Sequence, residues 1–298
     1  MQHLVRNCFF YLFLCIMIAS CATKPVLKNE KPIETITKTD TIKVNEETKV
    51  VILDSLKTYK DSILNSLKET LTNQESVPLQ NGNDTKWIGT VNFNLRKPNF
   101  IIIHHTAQDS LAQTIKTFTL KKTKVSAHYV IADDGCVVQM LNDYLRAWHS
   151  GISTWGKNTD INSASIGIEL DNNGSEVFSE AQITSLMALI AKLKYDYNIP
   201  TQNIIGHSDI APTRKYDPSA LFPWKTLAQK EFGVWPDEIL EPAPINFNIE
   251  LALRIIGYDT KNLPAAIASF KLHYIQTEVD SVLNEKTINT IYNIYKKQ

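Results

Sequence analysis

The chain has 298 residues, enough for two domains and further extensions. Its 31 basic and 31 acidic side chains cancel, so a general affinity for nucleic acid is not expected. Three of its four cysteines (Cys8, Cys15 and Cys21) lie in or at the end of an N-terminal apolar segment, which excludes a disulfide framework.

The N-terminal segment has the pattern of an export signal. Arg6 closes a short basic start, and the following residues up to Ala19 are almost wholly apolar. Such a run is too short to span a bilayer but suits a signal peptide. Its end, Ile18-Ala19-Ser20-Cys21, resembles a bacterial lipobox, which predicts a signal peptide over residues 1–20 and lipidation of Cys21. The alternative is an ordinary signal peptide that happens to end near a cysteine.

Lipidation at Cys21 predicts where the protein acts. Acyl chains in combination hold a protein on a membrane more firmly than a single chain does. Ala22 stands where an Asp tends to mark inner-membrane retention in such lipoproteins. We therefore expect a lipid-anchored protein of the bacterial cell envelope, on the outer membrane and facing the periplasm.

Residues 21–86 are predicted to be a tether. The part up to residue 47 is rich in Lys, Thr, Glu and Pro, which cannot bury enough apolar surface to offset the cost of ordering. Apolar side chains at helical spacing predict an amphipathic helix over residues 48–73. Whether this helix self-associates, and hence the oligomeric state, is left open.

From about Trp87 the pattern becomes α/β. The continuous apolar run Phe100–Ile103 predicts a buried central strand. Apolar runs, turn residues and capping residues predict the remaining elements. These are strands at 128–131, 136–140, 163–170 and 202–206, and helices at 110–120 and 179–198.

Pro242 and Pro244 mark a second boundary. Beyond them the apolar side chains have helical spacing in three segments, residues 249–256, 263–274 and 285–295. We therefore predict a small three-helix domain at 245–298, separate from an α/β domain at 87–236.

Five short motifs follow one another in the α/β region. They are IIIHHTA (101–107), SAHY (126–129), AWHSG (147–151), SIGIE (165–169) and GHSDIAP (206–212). In this order they resemble the type 2 N-acetylmuramoyl-L-alanine amidases, zinc hydrolases related to phage T7 lysozyme and to peptidoglycan recognition proteins. The resemblance is dense over about residues 87–236, and it implies a mixed central β-sheet flanked by helices.

The resemblance implies a catalytic zinc ion held by His104, His207 and Asp217. Without this resemblance, a His near an Asp in a sequence would usually be interpreted as a satisfied polar pair. Two His and one carboxylate suit Zn²⁺, and three protein ligands leave one position for water. His105 is the alternative ligand, but strand alternation directs it to the opposite face from His104.

The same resemblance assigns further roles. Glu169 is expected to be the general base, with a surface strand end as the alternative. Lys215 is expected to balance the negative charge of the tetrahedral intermediate, with an ordinary solvated lysine as the alternative. Trp148 and His149 are expected to contact substrate, although a packing role for Trp148 and a core or ligand-supporting role for His149 are the alternatives. His128 is expected to be structural.

The implied substrate is peptidoglycan, or muropeptides released from it. The bond is the amide that joins the lactyl group of N-acetylmuramic acid to L-alanine of the stem peptide. Two other classes are a non-catalytic peptidoglycan recognition lipoprotein and a structural envelope lipoprotein with a vestigial site. The presence of the five site residues favours the enzyme: His104, Glu169, His207, Lys215 and Asp217.

The C-terminal segment resembles the small three-helix peptidoglycan-binding domain, through Gly257-Tyr258 and residues 265–270. Its usual Gly-x-x-Asp-x-x-Thr element appears with Ser281 and Asn284 in place of the Gly and the Asp. We expect this segment to help hold the wall without taking part in bond cleavage. The alternative is a helical cap that only stabilises the enzyme.

Overall fold

The computed structural model describes residues 95–298 and six residues of the helix predicted at 48–73. These six are helical and exposed, and all carry polar side chains: Thr58, Asp61, Ser62, Asn65, Ser66 and Glu69. The signal peptide, Cys21 and the rest of the tether lie outside the described residues. Residues 92–298 form one compact unit. Within the described ranges, every helix is too short or too polar to cross a bilayer.

Five strands in the described part of the chain form one mixed sheet. They are β1 (Phe100–His105), β2 (Tyr129–Ile131), β3 (Val137–Gln139), β4 (Ser165–Leu170) and β5 (Ile204–Gly206). Their order is β3-β2-β4-β1-β5, and all neighbours are parallel except the hairpin of β2 and β3. The predicted mixed α/β sheet is therefore confirmed. Strand β1 lies between two parallel neighbours, which explains its continuous apolar run.

Eight α-helices accompany the sheet in residues 95–298. They are α1 (Leu111–Thr119), α2 (Ile161–Ala164), α3 (Glu180–Tyr197), α4 (His207–Ile210), α5 (Trp224–Ala228), α6 (Ile249–Ile256), α7 (Leu263–Tyr274) and α8 (Glu285–Tyr295). The side chain of Ser179 caps α3, as predicted, and the side chain of Ser110 caps α1. Helices α2, α4 and α5 were not predicted, because four or five residues are too few to show helical periodicity.

Strand alternation divides β1 between two hydrophobic clusters. Ile101 and Ile103 belong to the cluster that contains α3. Phe100 and Ile102 belong to the cluster that contains α6, α7 and α8. The three C-terminal helices therefore complete the core on one face of the sheet.

The strand register positions the functional side chains. His104 of β1 is paired with Glu169 of β4, so both side chains leave the same face near the carboxyl ends of parallel strands. Helix α4 begins with His207 directly after β5, the other neighbour of β1. Ligands of open α/β sheets commonly bind at this end of the strands.

Candidate metal centre and active site

Three side chains converge at the carboxyl end of the sheet. His104 Nδ1 lies 2.9 Å from His207 Nδ1 and 3.1 Å from Asp217 Oδ2. His207 Nδ1 lies 3.0 Å from the same oxygen. All three residues are buried. They form a group of side chains able to hold a metal ion.

The donor atoms fit a divalent cation. His207 Nε2 lies 3.1 Å from the carbonyl oxygen of Ser150, which only accepts, so this nitrogen carries the proton and Nδ1 keeps its lone pair. The spacings of about 3 Å are close to the ~3.3 Å that separates ligands around a tetrahedral zinc ion with bonds of ~2.0 Å. A cation between the three atoms would remove the repulsion between their lone pairs.

The charges also suit metal ligation. Burial, with a smaller contribution from His207, lowers the pKa of His104 to about 4, while Asp217 opposes the shift. Burial alone would raise the pKa of Asp217, but its close contacts with His104 and His207 outweigh burial and hold that pKa well below its usual range. At neutral pH the site therefore offers a neutral His104 and a carboxylate, the forms that bind metal.

Local structure holds the second and third ligands together. His207 is the first residue of α4, and Asp217 lies in the loop that follows this helix. The backbone N–H of Ser208 donates to the carbonyl oxygen of Asp217 at 2.8 Å. A backbone hydrogen bond thus joins the two ends of the segment that separates these two ligands.

His105 lies on the other side of the sheet. Its Nδ1 accepts a hydrogen bond from the backbone N–H of Ser219 at 3.2 Å. A Cβ atom at Gly174 would lie 2.9 Å from the His105 ring, so the ring packs against this glycine. His105 is absent from the group of described residues able to hold a metal, whereas His104 is present.

Glu169 lies beside the three ligands. Its Oε1 is 4.0 Å from His104 Nδ1, and the residue is buried. Burial, with a smaller contribution from Asp217, raises the pKa of Glu169 to about 8, while Lys215 opposes the rise. Lys215 is partly exposed on the loop between α4 and Asp217, and its charge also lowers the pKa of His104. Both residues are therefore near enough to the ligands to act electrostatically.

The two residues expected to contact substrate lie in different surroundings. Trp148 is 53% exposed and lines a surface cavity of about 340 Å³ with Lys121, Lys124 and Arg146. His149 is only 7% exposed, and its Nδ1 lies 3.0 Å from His104 Nε2. The position of His149 behind a candidate ligand favours the ligand-supporting alternative.

The sequence did not single out three polar residues that support the site. Asn162 Oδ1 accepts from the backbone N–H groups of both His149 and Ser150, each at 3.0 Å. Ser165 contacts His149, and Asp209 is fully buried two residues after His207. Strand alternation from Glu169 was a usable signal for Ser165, which lies on the same face four residues earlier.

Two comparisons of sequence are informative. Residues 94–220 match the Amidase_2 family model, described as N-acetylmuramoyl-L-alanine amidase. The N-acetylmuramoyl-L-alanine amidase AmiD of Escherichia coli K12 is 39% identical over 156 residues, 46% of this chain and 54% of AmiD. The 1,6-anhydro-N-acetylmuramyl-L-alanine amidase AmpD of the same organism is 40% identical over 111 residues, 36% of this chain and 61% of AmpD. The chain thus spans little more than half the length of these curated relatives.

Solved structures extend the similarity. E. coli AmiD in complex with the substrate anhydro-N-acetylmuramic acid-L-Ala-D-gamma-Glu-L-Lys has a TM-score of 0.61 and 29% identity, covering 74% of this chain and 97% of that one. AmpDh3 from Pseudomonas aeruginosa in complex with anhydromuramic pentapeptide has a TM-score of 0.62 and 26% identity, covering 72% and 98%. The shared fold therefore extends beyond the residues that the family model matches.

Proposed function

Since residues 94–220 match the family model described as N-acetylmuramoyl-L-alanine amidase, we propose that the chain hydrolyses the amide between N-acetylmuramic acid and L-alanine in peptidoglycan. The observation that carries this proposal is the buried group of His104, His207 and Asp217 with Glu169 beside it. The complexes of AmiD and AmpDh3 with anhydromuramyl peptides support muropeptides as the substrate class.

Zinc is the metal that we propose for the three ligands. Two imidazoles and one carboxylate, with a position left open, are typical of catalytic zinc sites. When bound, zinc would polarise the scissile carbonyl and lower the pKa of a water molecule towards ~7.

Glu169 is proposed as the general base. Its carboxylate would accept a proton from the attacking water and pass it to the leaving amide nitrogen. Burial raises the pKa of Glu169 to about 8, which favours the protonated form at neutral pH. Positive charge at the three-ligand centre would lower this pKa again, so metal binding and base activation are coupled.

Lys215 is proposed to stabilise the negative charge that develops on the carbonyl oxygen. It lies on the loop that carries Asp217, and its charge acts on His104 and Glu169. A positioned cation of this kind is commonly worth about 10²–10³-fold in rate.

We also propose that the enzyme is a lipoprotein of the bacterial envelope, held on the outer membrane through Cys21. The apolar segment and the lipobox-like Ile18-Ala19-Ser20-Cys21 support this. The amidase would then meet peptidoglycan from the membrane side of the wall.

The experiment is a digest of defined muropeptides followed by mass spectrometry. The wild-type protein should release free stem peptide, a chelator should stop the release, and added zinc should restore it. Asp217→Ala should lose both zinc and activity. A peptidoglycan recognition lipoprotein would bind muropeptides without releasing stem peptide. That result, or full zinc occupancy and activity in Asp217→Ala, would refute the proposal.

A further inference from the structure

A chain of side-chain contacts extends from His104 away from the metal centre. His104 Nε2 lies 3.0 Å from His149 Nδ1, and His149 Nε2 lies 3.0 Å from Ser165 Oγ. Ser165 Oγ in turn lies 2.6 Å from the backbone carbonyl oxygen of Ile161. The side chains of His104, His149 and Ser165 are all buried, so water does not compete for these contacts.

The backbone carbonyl at the end of this series of contacts sets the direction of each hydrogen bond in the series. The carbonyl oxygen of Ile161 only accepts, so the single hydroxyl proton of Ser165 is donated to it. Ser165 Oγ must then accept from His149, which places the proton of that ring on Nε2. A neutral imidazole has one N–H, and burial favours the neutral ring. His149 Nδ1 is therefore an acceptor.

The tautomer of His149 in turn determines the tautomer of the candidate ligand His104. Because His149 Nδ1 accepts, His104 Nε2 carries the proton and donates to it. His104 Nδ1 then keeps a lone pair. This is the atom that faces His207 Nδ1 and Asp217 Oδ2.

We propose that His149 and Ser165 are positioning residues that fix the tautomer and orientation of His104, so that its Nδ1 is presented to the metal. The inference rests on the proposed metal centre and deepens it. It gives His149 a role in metal affinity in place of the expected contact with substrate.

Two further features hold His149 in this position. A Cβ atom at Gly167 would lie 2.4 Å from His149 Cγ, so the ring occupies space that only a glycine in β4 leaves free. The backbone N–H groups of His149 and Ser150 both donate to Asn162. Ser165, Gly167 and Glu169 alternate along β4, so one strand face supplies the acceptor, the space and the proposed base.

The first experiment reads the tautomers directly. Nitrogen-15 NMR of the histidine rings is recorded on the full-length protein, before and after zinc is added to the chelator-treated sample. We expect the Nε2–H tautomer for both His104 and His149 in the metal-free protein. A proton on Nδ1 of His149 would overturn the proposal, and this arm does not depend on activity or on zinc binding.

The second experiment measures zinc affinity by competition with a chelator. Ser165→Ala and His149→Leu should bind zinc about 10–100-fold more weakly than the wild type, as is common when a partner of a metal ligand is removed. His149→Gln should recover part of this loss, since its amide can accept from His104 and donate to Ser165. Ser269→Ala is the matched control, because its buried hydroxyl has no hydrogen-bond partner among the described residues.

The outcomes separate this inference from the proposed function. Wild-type affinity in both Ser165→Ala and His149→Leu, with melting temperatures that show folded protein, would overturn the positioning role alone. Failure of the wild type to bind zinc would refute the proposed metal centre, while the NMR experiment would still decide the tautomers. A loss in Ser269→Ala equal to that in Ser165→Ala would assign the effect to general destabilisation and overturn the proposal.

Discussion

At the residue scale, the role proposed for Glu169 is separable from metal binding. It lies 4.0 Å from His104 Nδ1 and is not one of the three side chains that converge at the centre. The proposed roles of base and ligand therefore fall on different residues, and substitution should distinguish them.

Glu169→Gln is expected to retain zinc and to lose most activity. The amide keeps the shape of the carboxyl group but cannot accept the proton of the attacking water. The rate should fall by about 10²–10⁴-fold, the range for a general base. Zinc content by atomic absorption and stem-peptide release would be measured on the same sample. Near wild-type cleavage would assign the base to another residue.

His128, which is not one of the three proposed ligands, is expected to make the stability of the protein depend on pH. Burial lowers the pKa of His128 to about 4; the hydrogen bond to the carbonyl of Leu145 opposes the shift, and Arg96 adds to it. The ring also accepts a hydrogen bond from the backbone N–H of Gly167 at 3.0 Å. These contacts agree with the structural role expected for this residue.

His128→Asn is therefore expected to flatten the acid side of the stability profile. The unfolded chain binds a proton at His128 below pH ~6.5, whereas the folded chain does so only near 4. Stability is thus present above the unfolded value and is lost as the pH falls through this window, by at most about 1.4 kcal/mol per pH unit. Asn lacks this proton but can still accept from Gly167. Equal slopes for both proteins in urea unfolding between pH 4 and 6.5 would contradict the prediction.

At the element scale, the one-turn helix α4 is held by residues of the C-terminal segment. Asp209, fully buried in α4, accepts from Tyr258 at 2.6 Å and from His273 Nδ1 at 2.7 Å. The same carboxylate accepts from the backbone N–H of Gly206 at 2.7 Å. His273 is stacked between Trp224 and Tyr274. A helix of four residues has little stability of its own, so these contacts position the segment that begins with His207.

Tyr258→Phe tests this link with the loss of one atom. It leaves a buried carboxylate oxygen without its donor, which should cost about 1.5–3 kcal/mol in unfolding free energy. Because Asp209 and His207 share α4, zinc affinity should fall as well. Tyr195→Phe is the matched control; Tyr195 is 88% exposed, and its change should stay within about 0.5 kcal/mol. Equal, small effects in both variants would contradict the link.

At the scale of the whole molecule, the C-terminal segment is part of the core of the sheet. Helices α6, α7 and α8 share one hydrophobic cluster with Phe100, Ile102 and Ile205 of the strands. Residues 92–298 form one compact unit, which contains both regions that the sequence separates. This packing favours the cap that stabilises the enzyme, while binding of the wall by this segment stays a prediction.

Deletion of residues 246–298 is accordingly expected to impair the enzyme on every substrate. It removes Tyr258 and His273 from Asp209 and exposes one side of the sheet. Hydrolysis of a small soluble muropeptide and of insoluble peptidoglycan should fall together, with a lower melting temperature. Retained hydrolysis of the small substrate by a folded truncated protein would instead support a separate wall-binding module.

Cys21→Ser tests the proposed location. The variant should remain unacylated and should leave the membrane fraction, because the acyl chains proposed to hold the protein would be missing. Fractionation and mass spectrometry of the N-terminal peptide would be compared with wild type. A wild-type protein that is wholly soluble, with no lipid on this peptide, would refute lipidation.

Local patterns in the sequence determined most of the elements. The structure contains the elements predicted from the run Phe100–Ile103, from the cap Ser179 and from the helical spacing of the three C-terminal segments. Each of these signals lies within a short stretch of sequence. It can therefore be recognised without knowing what the segment packs against. The ordered motifs likewise predicted the trio that converges at the centre, while its metal stays a proposal.

Only the tertiary structure decided which elements meet. Sequence patterns separated 245–298 as a domain, yet these helices complete the core of the sheet. His149 was expected to face substrate, yet Asn162, Gly167 and Ser165 hold it behind His104. An apolar stripe on a helix must be buried, and a polar side chain inside the protein must be paired. Neither specifies which partner it packs against or bonds to. That choice depends on the order of strands and on loops distant in the chain, which local periodicity does not encode.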